Sequence, residues 1–398
     1  MQDSLAFHPP RWFVRLFAVL AIVGAITFVL GLFWSPQRAW ANVLLISNYL
    51  VWLAVGALVL IALDNVAGAR WSEPLRRLQQ AIVAVLPVAG LGLLAVLLFR
   101  PSLYSGSAQT LAGEEHASPW RTFWLARPFF LCRSLVYLGA WLAFAAGIIN
   151  NSRKLEQTDD PERIRKSIRL SAGFLVAFGV TCWLASYDWL MSLEPDWSST
   201  VFGVYNFAGA FLSALAAVTL LAVMLKGFSP LRDFLTEDRL HNLGTLLFAF
   251  SSFWMYTWYC QYLLIWYTNH PDETIYFLRR GEGSWPMLLL TDLALNWGIP
   301  FLVLLPREAK RNASVLGGVS VIILAGRWLD LFLMIAPSQK DTLALPGALE
   351  AGFAMGAVGI LGLAVFWALA RSPLVPLNNH SLVRGTPSDD LIAASPRR

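Results

Sequence analysis

The chain has 398 residues, of which 57% are apolar and only 14% charged, and its mean hydropathy is +0.57. A water-soluble domain carries about a quarter charged residues, so the composition argues against a soluble enzyme or a coiled coil and for an integral membrane protein. The net charge of +5 would suggest nucleic acid in a soluble chain, but here the basic residues stand between apolar runs and mark topology, so no nucleic-acid partner is expected.

A helix needs about 20 apolar residues to cross a ~30 Å hydrocarbon core. Ten runs of that length are bounded by charge, Pro or Gly, and they predict helices near Trp12 to Trp34, Trp40 to Leu63, Leu78 to Phe99, Trp120 to Ile149, Ile168 to Leu193, Val201 to Leu225, Leu240 to Thr268, Trp285 to Leu305, Asn312 to Ala336 and Pro346 to Ala370. No strand-like alternation is present, so a helical bundle is expected rather than a barrel. Residues 1–11 form a short leader without a small-residue cleavage pattern and are expected to be retained. The membrane domain covers 12–371, and the tail 372–398, with Pro373, Pro376, Gly385 and Pro387, is expected to be disordered.

Of 30 Lys and Arg, with Arg15, Arg121 and Arg169 at helix ends counted with the adjoining tail or link, 21 lie in the tails and even-numbered links, 6 in odd-numbered links and 3 deeper within helices (Arg127, Arg133 and Arg327). That bias predicts both termini in the cytoplasm. The longest cytoplasmic link, Asn150 to Ser167, is dense in both charge signs, while the external links Leu103 to Pro119 and Asn269 to Ser284 are long enough to cap a site or dock a partner. Many of the 18 Trp, among them Trp12, Trp34, Trp40, Trp120, Trp124, Trp189, Trp197, Trp266, Trp285 and Trp367, fall at predicted helix ends as an interfacial belt.

An ionisable side chain inside a membrane helix is costly, which makes each one a candidate for function. With a rise of 1.5 Å per residue, Asp188 lies roughly 9 Å inside the external end, Asp292, Asp330 and Arg127 about 10 Å, Gln261 about 12 Å and Arg327 about 15 Å. Tyr187, Tyr262, Asn206, Asn296 and Glu350 fall near the same level, whereas the cytoplasmic half offers Arg133, Ser251, Ser252, Asp64 and His241. The common depth points to a polar pocket or proton-transfer chain open to the external face, with Arg127 or Arg327 holding one carboxylate ionised. The alternative is structural: Arg327 with Asp330, three apart on one helix face, and Arg127 with a neighbouring carboxylate would be ion pairs that fix packing. His241, at a helix start, reads as a capping residue or a proton donor.

Between Phe248 and Tyr267 ten of twenty residues are aromatic. Such a helix suits a wall for a flat quinone ring, with Trp254, Trp258, Tyr259 and Tyr262 facing it, or it simply packs against neighbours and lipid. Cys132, Cys182 and Cys260 stand inside apolar runs with no metal-binding spacing, and five scattered histidines cannot hold the two haems of a cytochrome b. No metal is expected on this chain, so any redox centre would be carried by a partner.

Three motifs carry a family resemblance. They are Ser186-Tyr187-Asp188-Trp189-Leu190-Met191-Ser192-Leu193-Glu194-Pro195-Asp196-Trp197 with Phe202-Gly203-Val204-Tyr205; the run from His241-Asn242-Leu243-Gly244 through Trp254, Tyr259, Gln261-Tyr262 and Tyr267 to Asn269-His270-Pro271-Asp272-Glu273-Thr274; and Leu295-Asn296-Trp297-Gly298-Ile299-Pro300-Phe301 ending at Arg307. Over residues 10 to 370 the chain resembles the NrfD-like, polysulfide-reductase membrane subunits, and within them the ActF-type second NrfD-like subunits of alternative complex III. The resemblance implies ten helices in two four-helix bundles, helices two to five and six to nine, with two peripheral helices, in a bacterial inner membrane. It implies a complex that oxidises quinol, usually menaquinol, with a sister NrfD-like quinol-binding subunit, an iron–sulfur subunit, c-type haem subunits and small membrane subunits as partners, all among membrane lipids. This chain's part there would be a proton-conducting polar chain, a quinone-facing surface or a scaffold. A stand-alone secondary transporter is the remaining alternative, and the lack of an inverted repeat argues against it.

Overall fold

The computed structural model describes residues 10–69, 71–104, 119–155, 160–194, 197–227, 235–339 and 345–371, and among them there are helices and turns but no strand. The leader up to residue 9, the tail 372–398 and most of the Leu103 to Pro119 link lie outside the described residues. Nine stretches among those described are long and apolar enough to cross a membrane, which makes the chain an all-helical, multi-pass membrane protein. The tenth expected run falls short on composition alone. Its helix is continuous over 32 residues, about 48 Å by the helical rise, and its aromatic residues lower its apolarity.

Proline and capping residues set the helix ends. A single residue, Ser35, separates α1 (Arg11–Trp34) from α2 (Pro36–Ala67), whose first position is Pro36 and whose end is Gly68 at φ 63°. The third run is two helices, α3 (Arg76–Val83) and α4 (Leu86–Phe99), because Pro87 can neither donate to nor clear the carbonyl of Val83. The fourth is also split. A short α5 (Pro119–Leu125) ends before Pro128, and α6 (Arg127–Leu155) runs well past the expected end at Ile149. Asp160 caps α7 (Pro161–Trp189) by accepting from the Glu162 N–H at 2.9 Å, so the Asn150 to Ser167 link is largely helical. Next come α8 (Phe202–Leu225), α9 (Glu237–Thr268), which ends at Asn269 with φ 48°, and α10 (Pro271–Arg279) in the expected loop. The eighth run is α11 (Trp285–Leu293), a π turn at Ala294–Gly298 and α12 (Ile299–Leu304). Asn312 caps α13 (Ala313–Ile335), and α14 (Ala348–Leu369) closes the described chain.

Apolar on every side, α2 is buried over most of its length and touches α3, α4, α7, α8, α13 and α14. Its closest approach is to α8, where a Cβ on Gly56 would stand 2.4 Å from the Ala210 carbonyl oxygen. On one side of this centre α6 packs on α7 and α4, and on the other α8 packs on α9 and α13, with α11 against α13. At one edge α1 lies along α14 through facing glycines, Gly24 against Gly356, with Gly352 on Thr27 and Gly359 on Ala21. Small residues let membrane helices approach this closely, because lipid gives them no hydrophobic drive to associate. The end of the bundle that carries Ser35 and residues 100–104, 119–126, 190–194, 197–201, 269–284, 336–339 and 345–347 is termed the loop-rich end.

A Cβ at Gly356 would stand 2.7 Å from the Gly24 Cα, whereas at Gly318 it would meet nothing within 4 Å. Gly356→Leu should therefore lower the thermal unfolding midpoint in detergent, at a cost of about 1–3 kcal/mol, and Gly318→Leu should not. Equal midpoints for the two variants would remove the role assigned to this contact.

Candidate functional site

Two polar clusters are buried at the loop-rich half of the bundle. The first joins α6 to α7. Arg133 grips Asp188 with two hydrogen bonds, Nε to Oδ2 at 3.0 Å and Nη2 to Oδ1 at 2.8 Å, and Tyr137, one turn further on the same face, donates to Oδ2 at 3.0 Å. The break at Ala126 turns α5 back over this pair, so that the Trp124 indole donates to Asp188 Oδ1 at 3.0 Å and its carbonyl accepts from Arg133 at 2.7 Å. The guanidinium also lies 4.0 Å from the centre of the Trp124 ring. Both oxygens of Asp188 are thus saturated.

The partner of Asp188 differs from expectation. Arg127 points away and donates to the Leu98 carbonyl at 2.7 Å, and among the described residues it forms no ion pair with a carboxylate. The reason is the helix boundary: measured from Arg127, where α6 begins, Arg133 is about 9 Å down the helix, the depth that counting from Trp120 had given to Arg127. Asp188 itself sits in the last turn of α7 and is covered by α5 and the turn Met191–Leu193.

The second cluster joins α8, α9, α11 and α13. Arg327 and Asp330 form a buried ion pair within α13, and Asp330 also accepts from the Tyr205 hydroxyl and, at 3.3 Å, from the Trp254 indole. Arg327 donates to the side-chain Oδ1 of Asn206, and the Asn206 amide donates to Ser186 Oγ at 2.9 Å. Space for the guanidinium exists because residue 209 is glycine: a Cβ there would stand 2.4 Å from Arg327 Nη1. On α11 Asp292 Oδ1 accepts from the Asn296 amide at 2.8 Å, and Asn296 lies flat on Gly326. Pro300 supplies no N–H to the Asn296 carbonyl four residues back, which forces the π turn, and Ser251 of α9 donates to that carbonyl at 2.6 Å instead. Asp292 Oδ2, Asn296 Oδ1 and Arg327 Nε are buried without a hydrogen bond. The cluster therefore holds two carboxylates, one guanidinium and unused acceptors.

The remaining expected residues do not join one chain. Gln261 is buried with its carbonyl oxygen unpartnered and makes no hydrogen bond to either cluster. Tyr187 accepts from the Trp183 indole and donates to the Thr200 carbonyl, and Tyr262 stacks on Trp258 with their centroids 5.8 Å apart. His241 lies at the opposite end of the bundle with Nδ1 buried and unpartnered. Glu350 stands apart from both clusters, bound by Arg38 at 2.7 and 2.6 Å, by Asn42 at 2.9 Å and by the Gly347 N–H at 2.8 Å, and so ties α2 to α14. Nor do the quinone-facing candidates share a wall. Trp254 is fully buried on Asp330, while Tyr259 is 48% exposed on the outward side of α9.

A cleft of about 670 Å³ opens above the first cluster, lined by Trp120, Trp124, Tyr187, Asp188, Glu194 and Trp197 among others. Its far wall is locked by Arg280, which donates to Glu194 at 2.6 Å, to the Leu333 carbonyl at 3.0 Å and to the Tyr276 carbonyl at 2.8 Å. Trp197 stacks on Tyr276 with centroids 4.1 Å apart, and burial pushes the Tyr276 phenol above its ordinary range. Sequence reasoning passed over Arg133, Glu194 and Arg280 as site residues; the first was displaced by a boundary error, and Arg280 in a loop reads as an ordinary topology charge. Among the described residues no three His, Cys, Asp or Glu side chains come together as metal ligands. No protein-family model and no curated protein matches the chain.

Removing one partner of a buried ion pair costs about 3–5 kcal/mol, because the other is left uncompensated. Arg133→Met should lower the unfolding midpoint in detergent by that order, and Arg133→Met with Asp188→Leu should recover part of the loss. A double variant worse than the single one would show that the two side chains do not act as a pair.

Proposed function

We propose that the chain is a membrane subunit of a quinol:electron-acceptor oxidoreductase of the alternative complex III type, NrfD-like and closest to ActF-type subunits. Its part there is a proton-holding polar cluster beside the redox subunits. The observation that carries the reading is the second cluster: Asp330 pairs with Arg327 inside the bundle, while Asp292 of the adjoining α11 keeps an oxygen without a donor. An intramembrane carboxylate left in this state is a functional-site candidate by default, and proton relays are among the roles such groups mark.

Further support comes from where the resemblance falls. Asp188, Glu194, Trp197, Tyr205, Trp254 and Asn296, all within the three family motifs, are among the residues of the two clusters and the wall of the cleft, while Arg133, Asp292, Arg327 and Asp330 lie outside the motifs. In this reading α2 lies between a group of α4, α6 and α7 and a group of α8, α9, α11 and α13, with α1 and α14 at an edge, and the two-bundle architecture of that family is part of the proposal. On the charge bias, the loop-rich end faces outward and both termini face the cytoplasm of a bacterial inner membrane. Quinol, iron–sulfur clusters and c-type haem belong to partner subunits in this reading. This chain's own residues hold and exchange protons.

A second reading, that of a scaffold, is favoured by the saturation of Asp188, which accepts four hydrogen bonds and has no lone pair left for an incoming proton donor. The two readings divide the clusters between them. The experiment is to purify the chain from native membranes in mild detergent, identify its companions by mass spectrometry and a reduced-minus-oxidised spectrum, and compare Asp292→Asn with the wild type. Co-purifying c-haem and iron–sulfur subunits, with Asp292→Asn assembling normally but slowing quinol-linked turnover or proton release about tenfold or more, is the expected result. Unchanged turnover in Asp292→Asn would leave the scaffold, and a haem-free preparation of this chain alone would leave the transporter.

A further inference from the structure

At the end opposite the loop-rich one, α7 carries a charged face that neither cluster uses. Glu162, Arg165, Lys166 and Arg169 follow one another at spacings of three and four residues, which puts them on one side of the helix, and all four are exposed. The same side continues into the membrane span as Ala172, Gly173, Val176 and Val180, which are exposed as well. Several other cations at this end are engaged by protein groups. Arg311 pairs with Asp238 at 3.3 Å and Arg163 with Asp160 at 3.8 Å, Arg76 donates to Asn65 at 2.8 Å and Arg77 to Gln80 at 2.9 Å, and Lys310 stands over the Phe248 ring. Among the described residues Arg165, Lys166 and Arg169 form no ion pair, and neither does Glu162, so three positive charges share this face with one negative.

The depth of these side chains follows from the helix itself. From Leu170 to Leu190 is about 30 Å by the helical rise, the thickness of the hydrocarbon core, and the one charge within that stretch, Asp188, is buried. Arg169 therefore stands at the edge of the hydrocarbon, with Arg165 and Lys166 one turn beyond it in the head-group layer. A guanidinium presents its donors as a planar fork that matches the oxygens of a phosphate, and here two of them, one turn apart, flank an ammonium. A zwitterionic head group brings a cation of its own, which this face repels. An anionic head group brings only the phosphate.

We propose that Arg165, Lys166 and Arg169 bind the head group of an anionic phospholipid whose acyl chains run along the exposed side of α7. The inference rests on the membrane fold and is independent of the quinol reading. A basic residue at a membrane surface is worth about 1 kcal/mol, or about fivefold, in attraction to anionic lipid, and three together about a hundredfold. The test is native mass spectrometry of the whole purified assembly, titrated in mild detergent with phosphatidylglycerol or with phosphatidylcholine. One variant is Arg165→Gln with Lys166→Gln and Arg169→Gln. The control, Arg11→Gln with Arg15→Gln and Arg307→Gln, removes the same charge from exposed positions elsewhere at the same end. All six side chains are exposed, so neither variant threatens the fold. In the wild type one phosphatidylglycerol per chain should bind at least about tenfold tighter than phosphatidylcholine; the α7 variant should weaken it about a hundredfold, Arg169→Gln alone about fivefold, and the control should keep it. Equal affinity of the wild type for the two lipids, an unchanged α7 variant, or an equal loss in the control would overturn the proposal. Release of a co-purifying protein by the α7 variant, with lipid binding unchanged, would overturn it too and give the face to that protein.

Discussion

Inside a bilayer no solvent is present to take up an unpaired polar group, so each charge in this bundle has to find its partner within the protein. The requirement accounts for more of the architecture than apolar packing does, since lipid competes equally for every leucine. Asp188 is where it acts most fully. To bury that carboxylate the chain brings Arg133 and Tyr137 from α6 and folds the whole of α5 back so that Trp124 can donate as well. Breaking α6 from α5 at Ala126 is thus the structural cost of a saturated ion pair, and it also creates the wall of the cleft above. The same accounting explains Gly209 and Gly326, which have no side chain because Arg327 and Asn296 fill the space one would take.

Proline makes these placements possible. Pro87, Pro128 and Pro300 each end or distort a run whose apolar pattern would otherwise continue as one helix. Pro300 is the most consequential, because the carbonyl it frees lies in the membrane and must be satisfied across a helix boundary. Ser251 does so, and the resulting π turn swings Asn296 toward Asp292. A local steric event at Pro300 therefore reaches a carboxylate eight residues away through one serine and one asparagine.

Much of the fold could be read from the sequence because apolar run length is a one-dimensional quantity. The ten runs correspond to real helices, and the i, i+3 spacing of Arg327 and Asp330 was sufficient to pair them without knowledge of any neighbour. What could not be read is whatever depends on where a helix starts or which way it faces. An error of seven residues at the start of α6 exchanged Arg127 for Arg133. The aromatic content of α9 was evident, yet nothing in its composition shows that Trp254 turns inward while Tyr259 turns outward. Glu350 illustrates the same limit: its depth was estimated from its own helix, but its partners Arg38 and Asn42 lie more than three hundred residues earlier. Cross-helix pairing is set by packing, and packing leaves no local mark.

The contrast between the carboxylates is what gives the polar residues different meanings. Asp188 and Glu350 each accept several donors, and Asp330 accepts an arginine, a tyrosine and an indole, so for all three the folded state already supplies what an ionised carboxylate needs. Asp292 has one donor, an uncharged amide, and its second oxygen faces none. An ion pair that is complete resists change, since any proton arriving at Asp188 must displace a hydrogen bond already made. A carboxylate left incomplete inside a membrane instead accommodates a change of charge with little rearrangement, because Arg327 and Asp330 beside it are held in place by their own partners. Rigidity in the surrounding pairs and incompleteness at one member are therefore complementary, and the proposed proton-exchanging role of Asp292 rests on that combination more than on the number of buried charges.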